Sequence, residues 1–137
     1  MLKKLLPFLI VFYLQSCQLS PDANKKLVGT WEVTSYRLES HVNIDEDLLL
    51  EFERDTERKL MEFAEYNFNQ DSSYHFVFSP MNEDRGKWSK INDSTFIFES
   101  LIYHEKDTVY IYFNGDQLAT IIISDDNQTA FTNIRKR

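Results

Sequence analysis

The chain has 137 residues, a formal net charge of -7, 15% aromatic residues, and only three glycines and three prolines. That length holds one domain of ordinary size, and many aromatics with few turn-formers argue for a packed core of strands and against disorder. The acidic balance argues against nucleic acid as a partner, because the net field repels phosphate.

The first element is a secretion signal. Met1-Leu2-Lys3-Lys4 is a basic start, Leu5 to Leu14 is apolar apart from Pro7, and Gln15-Ser16-Cys17 follows. So short a run cannot cross about 30 Å of hydrocarbon, which takes roughly 20 helical residues. It therefore reads as a cleaved signal over residues 1–16. Cys17 is the only cysteine, whereas chains routed to oxidising compartments ordinarily hold cysteines in pairs. Leu14-Gln15-Ser16-Cys17 resembles the lipobox of bacterial lipoproteins. That resemblance implies lipidation at Cys17, which becomes the mature N-terminus, and several acyl chains that anchor the protein stably in the membrane. With Gln18 after the cysteine, it also implies a place in the cell envelope, at the outer membrane facing the periplasm. Losing Lys3 and Lys4 takes the charge from -7 to -9 over the remaining 121 residues. Residues 17–26 read as the lipidated cysteine and a polar tether, and 27–137 as the domain.

From Leu27 the pattern is mostly of period two, with turn residues at short intervals, which predicts a meander of antiparallel strands. The runs lie near 28–39, 64–69, 73–79, 86–91, 95–101, 107–113, 117–124 and 129–135, which makes eight strands. Asn114-Gly115 predicts a two-residue hairpin turn. One segment breaks the alternation: residues 45–60 carry Leu49, Phe52, Thr56 and Leu60 at helical spacing, and Asn43 with Glu46 suggests a capping box. An eight-stranded sheet can close with an interior wide enough for side chains or one small ligand, and closure removes exposed edges. The expected fold is thus all-β: a single small eight-stranded antiparallel up-and-down barrel with one short helix after the first strand.

Gly29-Thr30-Trp31 on the first strand resembles the Gly-x-Trp signature of lipocalins. The helix after strand one, the Tyr66-Asn67-Phe68 strand and Gly86-Lys87-Trp88-Ser89 extend the likeness to bacterial lipocalin-like lipoproteins of the Bacteroidota type. The resemblance implies that Trp31 plugs the closed end of the barrel, with Gly29 allowing close backbone approach. An arginine of the last strand, here Arg135, would lie on the indole.

Alternation places Tyr66, Phe68, Tyr74, Phe76, Trp88, Phe96 and Phe98 on inner faces. Two readings follow: these rings line a pocket for an apolar molecule, or they simply fill a small barrel. His41, His75 and His104 do not have metal-ligand spacing, so no metal and no cofactor are expected. No nucleophile motif, phosphate loop or dinucleotide fingerprint occurs, and an acylated Cys17 cannot act as a nucleophile, so no catalytic residue is assigned. Acid pairs such as Glu51 and Asp55 read as a solvated helix face. The expectation is a lipid-anchored, non-catalytic envelope protein whose barrel binds a small hydrophobic ligand. The alternative is a protein-interaction lipoprotein, such as an inhibitor, immunity or assembly factor, with a filled core and an envelope protein bound through loops 80–86 and 103–107.

Overall fold

The computed structural model describes residues 22–137. The expected signal, Cys17 and the first part of the expected tether lie outside the described residues. Helix α1 (Asp22–Leu27) precedes strand β1 (Gly29–Ser40), helix α2 (Glu46–Phe63), β2 (Glu65–Phe68) and β3 (Ser73–Ser79). Then follow β4 (Asn82–Lys90), β5 (Thr95–Ser100), β6 (Lys106–Asn114), β7 (Leu118–Ser124) and β8 (Gln128–Lys136). Each strand pairs antiparallel with the next, and β8 returns to β1, so the sheet is a closed eight-stranded up-and-down barrel. Among the described residues, no helix is long and apolar enough to cross a membrane.

The alternation of the sequence is the alternation of burial. Trp31 and Val33, Tyr66 and Phe68, Gly86 and Trp88, and Phe96 and Phe98 are buried, while residues between them reach outward. One irregularity, a register shift between Val33 and Ser35 against β8, bends β1 and moves its inward positions to Tyr36 and Leu38.

Helix α2 occupies a place that a strand would otherwise take. β2 pairs with β1 only over residues 29–32, so the rest of this long strand has no partner on that side. Glu57 accepts a hydrogen bond from the backbone N–H of Tyr36, and Glu53 from that of Leu38, both at 2.9 Å. The spacing explains the match: four helical residues rise about 6 Å and two strand residues about 6.7 Å. The two carboxylates thus satisfy amides that would otherwise stay unpaired at the seam. The helix faces the barrel with Leu49, Glu53, Thr56, Glu57 and Leu60. Phe52, read as part of that stripe, points away and is 58% exposed.

Three local expectations change. Asp45, not Asn43, caps α2, its side chain accepting from the N–H groups of Asp47 and Leu48. The β6–β7 loop has three residues, since Asn114 still pairs with Leu118. Only Gly115 there takes a positive φ, of 74°. β4 begins at Asn82, four residues before the expected 86, so the supposed loop 80–86 is mostly strand.

Part of the expected tether is also structured. α1 brings Leu27 fully under the barrel, where its carbonyl accepts the Trp31 Nε1–H at 2.8 Å.

Candidate functional site

The two ends of the barrel differ. The end bearing Trp31 is solid: Trp31, Leu27, Phe96, Ile111 and Ile134 are each fully buried, and Phe113 stands 6.5 Å from the indole. Gly29 takes a φ of 140°, which favours glycine, and the Lys136 stem lies 3.4 Å from where its Cβ would be. The cation on the indole is Lys136, with Nζ 5.0 Å from the ring centroid. The same ammonium donates to the Lys26 carbonyl at 2.8 Å.

Arg135 is therefore not the residue on Trp31. Ile134 and Thr132 are buried and Arg135 is exposed, so period two sends Arg135 to the outer face and Lys136 back inward. Outside, Arg135 donates to Glu32 at 2.6 and 3.0 Å, and Arg137 bridges Glu32 and Glu65. The Arg135 hydrogen bond, followed by that of Arg137, holds the Glu32 carboxyl below its usual range.

At the opposite end lies a cavity of about 270 Å³, lined by Tyr66, Tyr74, Phe76, Phe78, Asp84, Phe98, Tyr103, Asp107, Val109, Ile121, Ile123 and Thr132. Four of the seven predicted lining residues are there: Tyr66, Tyr74, Phe76 and Phe98. The other three, Phe68, Trp88 and Phe96, are packed core below it. Phe68 meets Trp88 edge-on at 6.3 Å, and Trp88 meets Phe96 at 6.1 Å. The aromatic face thus lines open space in one half of the barrel and packs solid in the other.

The cavity wall is a ring cluster with a polar corner. Tyr74 stacks on Phe76 at 4.5 Å, and Phe98 lies 5.2 and 5.8 Å from those two rings. The Tyr74 hydroxyl donates to Asp84 Oδ2 at 3.0 Å, and the Ser100 hydroxyl to Asp84 Oδ1 at 2.6 Å. Gly86 makes this possible: a Cβ there would sit 2.9 Å from the Tyr74 hydroxyl and 1.9 Å from the Glu99 carbonyl oxygen. Burial, then the bond to Asp84, pushes the Tyr74 phenol well above its ordinary value. Burial does the same to Tyr66.

Two hydroxyls in the wall are unspent. Tyr66 is 6% and Thr132 8% exposed, and neither side chain has a hydrogen-bond partner among the described residues. Such groups are uncommon in folded proteins and costly to bury.

The sequence reading missed Asp84, Ser100, Tyr103, Asp107 and Thr132. Asp84 sits in the polar run Asn82-Glu83-Asp84-Arg85, which reads as a loop; the available signal was alternation continued backwards from Trp88 and Gly86. A larger depression of about 440 Å³, with Lys87, Ser89, Glu99 and Lys106 in its wall, lies on the outer face of β4 and β5. The histidines are separate: His41 bonds Thr129, His75 bonds Glu83, and His104 is in the β5–β6 loop. Asp55 pairs with Arg58 and Lys59 on the helix surface. No protein-family model matches this chain, and no curated protein matches it.

Proposed function

We propose that this protein is a lipid-anchored, non-catalytic envelope protein of the bacterial lipocalin-like type, holding a small hydrophobic ligand in the open half of its barrel. The observation that carries the reading is the aromatic cavity of about 270 Å³ with two unpartnered hydroxyls in its wall. A core meant only for stability would close such a space, since unfilled volume and unsatisfied polar groups both cost free energy. Exposed Met81, Leu101 and Ile102 on the two turns beside the mouth give an apolar rim suited to ligand access. The size lies just under the roughly 300–1,000 Å³ of drug-sized pockets, which favours a compact ligand. Cys17 supplies the anchor and the envelope address.

Native mass spectrometry of the full chain extracted from membranes tests both halves. The expected mass starts at an acylated Cys17 and carries a small molecule released on denaturation, and Cys17→Ser loses the acyl mass. An unprocessed, unacylated wild-type chain overturns the anchor. An empty barrel that retains an envelope protein overturns ligand binding in favour of a protein-interaction role.

A further inference from the structure

The cavity wall carries charge of one sign only. Asp84 and Asp107 line it, and no Lys, Arg or His among the described residues does. Asp84 is half-buried and held rigidly by Tyr74 and Ser100, both of which are buried. Each of its oxygens still has a free lone pair, because a carboxylate accepts at about four positions. Asp107 is in register with the inward Phe98 and stands at the exposed rim. Phe76 lies directly across from Asp84 on the neighbouring strand, with Tyr74 and Phe98 within stacking range of it. Aromatic faces beside a fixed carboxylate attract a cation and repel an anion. The buried, unpartnered hydroxyls of Tyr66 and Thr132 in the same wall independently mark it as a place for a molecule with polar groups, and not a plain hydrocarbon chain.

We infer that the cavity selects small amines: a protonated ammonium group at Asp84, guided in past Asp107, with a compact apolar body among Tyr74, Phe76 and Phe98. Fatty acids and other carboxylates are rejected, because their head group would enter beside two like charges with no counter-ion. This deepens the ligand-binding reading proposed above and rests on it.

The test is calorimetric titration of the full-length protein in lipid nanodiscs, with empty nanodiscs as the blank. The probes are three molecules of nearly equal size: 2-phenylethylammonium, 2-phenylethanol and phenylacetate. The ammonium should bind tightest and the carboxylate weakest, with about tenfold or more between the extremes at low salt and less at high salt. Asp84→Asn should abolish the preference while the alcohol still binds. Where Asp84→Asn fails to fold, Asp107→Asn at the exposed rim should reduce the same ratio. Phenylacetate binding as well as the ammonium, or a ratio unchanged in the variants, overturns the amine inference and leaves the ligand reading standing. Binding of none of the three probes overturns both.

Discussion

The plugged end and the open end of the barrel are built from the same alternating strands, yet they spend their side chains differently. Around Trp31 the polar side-chain groups are paired: the indole N–H bonds the Leu27 carbonyl, and Lys136 bonds the Lys26 carbonyl while covering the ring. Around Asp84 the rings stop short of filling the space, and the Tyr66 and Thr132 hydroxyls are left unspent. The contrast separates a half that is packed solid from a half that keeps open space. A closed sheet permits this, because strand pairing, completed at the β1–β2 seam by the helix carboxylates Glu53 and Glu57, supports the mouth without needing it filled.

The largest expected effect breaks the plugged end. Trp31→Ala should lose about 3 to 5 kcal/mol, as a fully buried ring does, whereas Phe78→Ala at the half-buried mouth should cost far less. Thermal melts of the two variants measure the difference, and equal losses would erase the distinction between the ends.

A smaller effect sharpens the plug itself. Lys136→Met should lose a cation–π contact worth about 0.5 to 2 kcal/mol. Arg135→Met, on the solvated outer face, should stay within about 1 kcal/mol, as exposed ion pairs do. Chemical denaturation of both variants decides which residue caps the indole.

The smallest effect concerns the mouth and alkali. Tyr66 and Tyr74 have folded-state values raised by burial, Tyr74 further by Asp84. The unfolded chain loses these protons near pH 10. Their contribution to stability is thus complete below about pH 10 and lost progressively as pH rises beyond it. In a phenolate absorbance titration Tyr66 and Tyr74 should ionise after the exposed tyrosines. Early ionisation of either would show that its side of the mouth is open to water in solution.

Much of the architecture was legible from alternation alone. Seven of the eight strands begin and end within a residue of where the period-two runs put them, β4 alone starting four residues early, because a one-sided apolar face has one way to be buried in a sheet. The helix was legible from its apolar stripe, but what it does for β1 was not. Glu53 and Glu57 lie off the Leu49, Phe52, Thr56 and Leu60 stripe in the sequence, and only the shortness of β2 turns them into partners for the β1 amides. Gly86 likewise read as part of a Gly-x-Trp-Ser motif. Its consequence, room for the Tyr74 hydroxyl, depends on how closely β4 and β5 approach.

The sequence by itself determined the periodicity, and with it the strand count, the inward faces and the helix; it also supplied the Leu14-Gln15-Ser16-Cys17 run, whose resemblance to a lipobox is what the proposed Cys17 anchor rests on. Tertiary structure alone decided which cation covers Trp31, which rings pack and which line space, and that Asp84 meets the Tyr74 and Ser100 hydroxyls. The reason is geometric. Face is a local property of a strand, readable every second residue, whereas the depth of a residue and the neighbours across the barrel come from register and closure, which join residues far apart in the chain.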